Sequence, residues 1–205
     1  MAKLYYRYGT VGSAKTLNLL AVAHNYKQQD KRVLIMKPRL DTRFGYKTVR
    51  SRAGLNMEAD VLLTENTVFS FDGQSRENSG ANEIFIDKDI TCIVVDEAQF
   101  LSAATVSRLY ELTIYCNIPV LLYGLKTDFK GHLFPGSTRI LELADSVEEI
   151  KTTCFYCNKK AIFNLKLLDG KPCFKGKTVD LGADEKYRPA CKFCFEKFKK
   201  FLFHV

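Results

Sequence analysis

The chain of 205 residues contains no tryptophan, an absence that excludes no function. Other absences exclude more. No apolar run approaches 18 residues, so the sequence offers no membrane-spanning helix. The start, Met1-Ala2-Lys3-Leu4, leads directly into strand-like sequence without the apolar stretch of a secretory signal. A cytoplasmic protein is therefore expected. There is no internal repeat and no low-complexity tract. Apolar residues make up 46% and charged residues 26%, an ordinary globular balance. A chain this long can bury a core without disulfides.

The seven cysteines are used unevenly. Cys92 and Cys116 lie in apolar stretches and read as buried filler. Cys173 lies in a lysine-rich stretch and suggests no role. The other four form two Cys-x-x-Cys pairs, Cys154/Cys157 and Cys191/Cys194. In a reducing compartment such pairs are metal ligands more often than disulfides. Four thiolates are the ligand set of a closed structural zinc site, which folds a small lobe and leaves no open position for catalysis. The 33 residues between the pairs exceed the spacing of a simple ribbon. A hairpin around Leu165–Lys171 and a long loop through Lys177–Pro189 account for the excess. That loop, with Gly182 and Tyr187, is a candidate lid over a small substrate.

Charge divides the chain in the same way. The net charge is +8. Residues 1–150 carry 18 Lys+Arg and 18 Asp+Glu, leaving 13 against 5 for residues 151–205. The excess suits phosphorylated ligands, or a solvated basic tail.

Residues 1–150 read as alternating strands and helices. Leu4–Tyr8 is a strand, and Thr16–Tyr26 a helix with Leu17, Leu20, Ala21 and His24 near one face. Val33–Met36 is a short strand, and the arginine-rich stretch Lys37–Asn56 a functional loop. Val61–Leu63 is a further strand. Ile90–Val95 is a near-continuous apolar run, which suits a parallel strand buried on both faces. Ser102 caps a helix to Tyr115, and Pro119–Leu125 is another buried strand. The expected fold is α/β, a doubly wound, mainly parallel sheet over residues 1–150 with a zinc-binding lobe over 151–205.

Between the first strand and helix lies Gly9-Thr10-Val11-Gly12-Ser13-Ala14-Lys15-Thr16, one residue away from G-x-x-x-x-G-K-[ST]. In the full motif backbone N–H groups cradle phosphates, the lysine neutralises them and the hydroxyl binds Mg²⁺. Ala14 replaces the second glycine, and alanine resists positive φ by roughly 1–2 kcal/mol. Either the loop is not left-handed at Ala14, or the strain is tolerated. About 80 residues on, the apolar strand ends in Asp96-Glu97. One carboxylate there can hold Mg²⁺ and its neighbour can act as base.

These parts form a recognisable set. The segments are Tyr8–Thr16, Asp41-Thr42-Arg43-Phe44, Val95-Asp96-Glu97-Ala98-Gln99-Phe100, Tyr123–Gly131 and the Cys154–Cys194 module. In this order the chain resembles the zinc-containing type II thymidine kinases, and Leu4-Tyr5-Tyr6 with Tyr123–Gly131 is most similar to their enterobacterial branch. The resemblance implies a P-loop, RecA-like fold and an ATP- and Mg²⁺-dependent kinase acting on the 5′-hydroxyl of thymidine. It implies Glu97 as general base and Gly9, Thr10, Val11, Gly12, Ser13, Ala14, Lys15, Thr16, Asp96 and Gln99 as nucleotide-binding residues. Thr16 and Asp96 would hold Mg²⁺. Arg43, Phe100, Phe129 and Tyr187 would contact thymidine. It further implies one structural zinc per chain, a homotetramer and feedback inhibition by thymidine triphosphate, with no nucleic-acid or membrane partner. By the resemblance, Asn164 stands where many members carry a small hydroxyl or other residue near the thymine pocket. Two other readings compete: a zinc-lobed ATPase that binds nucleic acid through its basic C-terminal segment, and a relative that binds nucleotide without turnover. Against the first, that segment lacks a helix-turn-helix or finger pattern, and Phe193, Phe195, Phe198 and Phe201 sit at helix-core spacing.

Overall fold

A computed structural model describes residues 1–71, 82–178 and 186–203. The chain order is β1 (Leu4–Tyr8), α1 (Lys15–Gln28), β2 (Arg32–Pro38), β3 (Thr48–Arg50), β4 (Asn56–Glu58), β5 (Val61–Leu63), β6 (Val68–Ser70), β7 (Glu83–Phe85) and β8 (Ile90–Val95). A short 3₁₀ turn, Ala98–Phe100, precedes α2 (Ala103–Tyr115). Then come β9 (Val120–Gly124), α3 (Pro135–Leu143), β10 (Ser146–Glu149), β11 (Phe163–Leu168), β12 (Lys171–Pro172), β13 (Tyr187–Ala190) and α4 (Lys192–Phe203).

Six strands form the central sheet in the order β10-β1-β9-β8-β2-β5, with every neighbouring pair parallel. Parallel strands need both faces covered. In β8, Ile93 and Val95 pack into one apolar cluster with Val106, Leu109 and Leu112 of α2 and Ile140 of α3. Cys92 and Val94 face the other way, toward Leu19, Leu20 and Ala23 of α1. Two buried faces explain why β8 reads as a continuous apolar run rather than an alternation. At roughly 1.5–3 kcal/mol for each fully buried large apolar side chain, these two layers outweigh any single polar contact in the fold.

Because all six strands are parallel their carboxyl ends share one rim, at whose centre those of β1, β9, β8 and β2 lie side by side. Open parallel sheets bind ligands at that rim. Backbone contacts fix the loops there. The Gly9 N–H donates to the Gly124 carbonyl at 3.3 Å. The buried Tyr6 hydroxyl and the Ser137 hydroxyl both donate to the Leu125 carbonyl, at 2.8 and 2.7 Å.

Several expectations are corrected. Ala21 and His24 are exposed, and α1 packs through Leu19, Leu20 and Ala23 instead. The stretch from Leu17 to Ala23 is apolar on more than one side, so its composition leaves the buried face undetermined. The arginine-rich stretch is partly an antiparallel hairpin of β3 and β4. Tyr187 to Pro189 belongs to β13 rather than to a loop, paired antiparallel with β11. The candidate lid residues 179–185 lie outside the described residues. The Leu165–Lys171 hairpin is present as β11 and β12, joined by Asp169 (φ 50°) and Gly170 (φ 73°), the two left-handed residues of a tight two-residue turn. Residues Cys154, Leu165, Ala190, Cys191, Cys194 and Phe195 form an apolar cluster of their own. Phe193 lies outside it and is 67% exposed. Ser102 caps α2, accepting from the Thr105 N–H at 3.1 Å.

Gly136, in the first turn of α3, presses against the 3₁₀ turn. A Cβ there would lie 2.6 Å from the Leu101 carbonyl oxygen and 2.9 Å from those of Ala98 and Gln99. These are backbone atoms and cannot rotate away. Gly136→Ala is expected to destabilise the fold by about 1–3 kcal/mol in urea denaturation. Unchanged stability would contradict this close approach.

Candidate active site

The loop between β1 and α1 wraps the start of a helix. Gly12 (φ 74°) and Ala14 (φ 63°) both adopt left-handed backbone. Of the two alternatives open at Ala14, the strain is the one realised. Ala14 caps α1, and its carbonyl accepts from the Asn18 N–H at 3.0 Å. The Lys15 ammonium turns back into the loop, donating to the Thr10 carbonyl at 2.8 Å and the Ser13 hydroxyl at 3.4 Å. Burial pushes this lysine down to about 8, against the opposing fields of Glu97 and Asp96. An anion bound in the loop would restore the charged form.

Across the rim, the Thr16 hydroxyl donates to Asp96 Oδ2 at 3.1 Å. This bond joins the start of α1 to the end of β8, residues 80 positions apart. Glu97 follows in left-handed backbone, φ 51° and ψ 38°. Strain of this kind costs about 1–3 kcal/mol and persists where the surroundings over-determine it. Here they do. Arg43 Nη2 pairs with Glu97 Oε1 at 2.5 Å, and Gln99 Nε2 donates to Glu97 Oε2 at 2.5 Å. Gln99 Oε1 in turn accepts from the Leu125 N–H at 2.9 Å. Burial alone would raise the Glu97 carboxyl; Arg43 and Lys15 outweigh it and hold it below the usual range. Asp96 is shifted the other way, by burial and by the adjacent Glu97 charge.

A cavity of about 360 Å³ opens between these groups. It is lined by Val11–Leu17, Asp41, Arg43, Asp96, Glu97 and Leu125, with Arg50 and Arg52 from the β3–β4 hairpin. The structure thus brings together the phosphate loop, both carboxylates and Arg43. Sequence reasoning missed Arg50 and Arg52 as individuals, although the arginine-rich composition of that stretch was the signal. It also missed Lys37. Gln99 is 1% exposed and spends its amide on Glu97 and Leu125 rather than lining the cavity.

The aromatic residues are arranged in two groups. Phe129 and Tyr187 are neighbours, with ring centroids 6.5 Å apart. The Lys166 ammonium lies 5.0 Å from the Phe129 ring. Phe100 packs edge-on to Phe134 at 5.8 Å. Asp128 fixes the Phe129 loop by accepting from the Lys130 and His132 N–H groups. Asn164, on β11, accepts from the Val11 N–H at 2.8 Å and donates to the Thr127 carbonyl at 3.1 Å. It stitches the C-terminal lobe to the phosphate loop.

The sulfur atoms of Cys154, Cys157, Cys191 and Cys194 all lie within 4.8 Å of one another. Cys157 Sγ is 3.6 Å from Cys191 Sγ and 3.8 Å from Cys194 Sγ. Zn–S bonds of about 2.3 Å give a tetrahedron with edges of about 3.8 Å. The Tyr156 and Cys194 N–H groups donate to Cys154 Sγ and Cys191 Sγ, as suits ionised thiolates. The seven cysteines are unpaired among the described residues, so no disulfide competes for these four. The donor set and spacing fit zinc. Thr16 and Asp96 offer oxygen ligands, which suit Mg²⁺.

Comparison with known proteins gives a consistent set of matches. A family profile described as "Thymidine kinase" matches residues 2–195. A thymidine kinase of Streptococcus pyogenes serotype M3 is 43% identical over 192 residues, spanning 94% of this chain and 96% of the relative. One of Lactococcus lactis subsp. lactis is also 43% identical over 192 residues, with the same coverage. One of Lactobacillus acidophilus is 40% identical over 193 residues, again spanning 94% and 96%.

Two outcomes are expected from the site's geometry. Ala14→Gly should stabilise the ligand-free protein by about 0.5–1 kcal/mol, the relieved strain less glycine's extra entropy. Urea denaturation reads this, and a loss of stability would contradict the left-handed backbone. Cys191→Ser should lower zinc content from about one per chain toward zero by metal analysis. Retention at the starting level would remove Cys191 from the ligand set.

Proposed function

The chain belongs to the thymidine kinase family, and on that premise we propose that it transfers the γ-phosphate of ATP to the 5′-hydroxyl of thymidine in the cavity between Lys15, Arg43 and Glu97. One observation carries this assignment of roles. Two adjacent carboxylates at the end of β8 are held differently, Asp96 by the Thr16 hydroxyl and Glu97 by Arg43 and Gln99.

Phosphoryl transfer asks a protein mainly for positioning and charge neutralisation. In our reading the loop Gly9–Thr16 cradles the phosphates, Lys15 and Arg43 balance charge on the transferring group, and Thr16 with Asp96 holds Mg²⁺. When bound, that ion neutralises phosphate charge and orients the leaving group. Glu97 receives the hydroxyl proton. A carboxylate is a weak base for an alcohol, so the proton moves late and orientation is the larger part of its work. Gln99 contributes by fixing Glu97. Phe100, Phe129 and Tyr187 contact the thymine.

The separate apolar cluster around the cysteines supports treating 1–150 as a P-loop, RecA-like nucleotide-binding unit and 151–205 as a zinc lobe with a substrate lid. A cytoplasmic location belongs to the same proposal. No helix among the described residues is long and apolar enough to cross a membrane. One structural zinc per chain, a homotetramer and inhibition by thymidine triphosphate belong to the same proposal. Affinity to the enterobacterial branch rests on Leu4-Tyr5-Tyr6 and Tyr123–Gly131 alone.

An ADP-release assay with ATP, Mg²⁺ and each common nucleoside tests the function. Turnover is expected with thymidine, weaker turnover with deoxyuridine, and none with purine nucleosides or deoxycytidine. Glu97→Gln is expected to lower kcat by roughly 10²–10⁴ while retaining ATP binding by calorimetry. Unchanged turnover in that variant would remove Glu97 from the mechanism.

A further inference from the structure

We propose that Lys37 is a positioning residue for the transfer, acting on Glu97 through Asp41 and Arg43. The proposal rests on the kinase reading and concerns how its reactive carboxylate is aimed.

Lys37 is the second-last residue of β2 and is 1% exposed. Lysines are almost never buried so deeply unless paired. Its ammonium donates to the Thr48 carbonyl at 3.0 Å and pairs with Asp41 Oδ2 at 3.0 Å. Asp41 is 3% exposed, and its other oxygen, Oδ1, pairs with Arg43 Nε at 2.7 Å. Arg43 then reaches Glu97 with Nη2. The result is a relay of alternating charge, Lys37, Asp41, Arg43 and Glu97, buried except at the partly exposed Arg43, that ends at the proton acceptor.

One guanidinium is shared by two carboxylates, and that division needs a reason. Arginine and carboxylate prefer a bidentate fork, two parallel N–H···O bonds. Asp41 alone would draw the Arg43 fork onto both of its oxygens and away from Glu97. Lys37 occupies Oδ2, so the Arg43 guanidinium meets Asp41 through Nε at Oδ1 while Nη2 pairs with Glu97. Stability gives no sufficient account of such a group, because apolar residues of similar volume often replace a buried ion pair without loss. The Thr48 bond adds a second consequence. It ties the start of β3, the strand that leads to Arg50 and Arg52 at the cavity, to the same ammonium.

The test is a mutant cycle read by steady-state kinetics with thymidine and MgATP. Wild-type turnover is measured first, so that failure of the kinase reading is seen separately. Lys37→Met keeps the length and removes the charge. It is expected to lower kcat roughly 10- to 100-fold, with both KM values changed less than about 3-fold. Lys37→Arg should recover part of the loss. In an Arg43→Ala background, Lys37→Met should lower kcat less than about 2-fold further, because the relay is already cut. Unchanged kcat in Lys37→Met, or the full loss repeated in the Arg43→Ala background, would overturn the proposal. Should Lys37→Met alone not fold, Lys37→Met/Asp41→Asn removes the uncompensated carboxylate and replaces it in the comparison. Its kcat should then equal that of Asp41→Asn within about 2-fold, and a further loss of 10-fold or more would overturn the proposal.

Discussion

The contact between Arg43 and Glu97 is the constraint around which the site is built. Two carboxylates, Asp96 and Glu97, stand side by side at the buried end of β8. Left alone, both would take up protons, since burial and mutual repulsion each favour the neutral form. Three cations, Lys15, Lys37 and Arg43, face three carboxyl groups, Asp41, Asp96 and Glu97. These six formal charges balance before any substrate arrives. Arg50 and Arg52 line the same cavity beyond these six groups and add positive charge that suits a phosphorylated ligand.

Backbone strain follows from the same constraint. Glu97 must turn back under Arg43 immediately after a straight strand, and a left-handed residue makes that turn in one step. Ala14 makes the corresponding turn on the opposite side, where the phosphate loop enters α1. Both strained residues sit at the rim where the carboxyl ends of β1 and β8 converge. The parallel sheet, buried on both faces, is stiff enough to hold them there. The C-terminal lobe joins this arrangement through Asn164, whose amide spans the Val11 N–H and the Thr127 carbonyl.

Much of this is legible in the residues. The phosphate loop, the Asp96-Glu97 pair and the cysteine pairs are local patterns whose spacing carries their chemistry. The β8 strand, the Ser102 cap and the Asp169-Gly170 turn are legible for the same reason. Other features depend on contacts distant in sequence. Lys37 reads as the start of the polar loop Lys37–Asn56, whereas it lies within β2, and only the fold brings Asp41 and Thr48 to its ammonium. Gln99 looks like part of a nucleotide motif, but its amide is consumed between Glu97 and Leu125. The edge strand β10, Ser-Val-Glu-Glu, has no apolar run to announce it and exists because β1 offers a free edge. Phe193 shares its spacing with Phe195 and Phe198, yet it lies on the solvent side of α4. A helical repeat of aromatic residues does not specify which of them faces the core.

A crystal structure with thymidine and a non-hydrolysable ATP analogue is the most direct measurement of the account. The account expects the thymidine 5′-hydroxyl within hydrogen-bond distance of Glu97, with the terminal phosphate between Lys15 and Arg43 and the loop Gly9–Thr16 around the phosphates. A hydroxyl directed at another group, with Glu97 still closed off by Arg43 and Gln99, would contradict it.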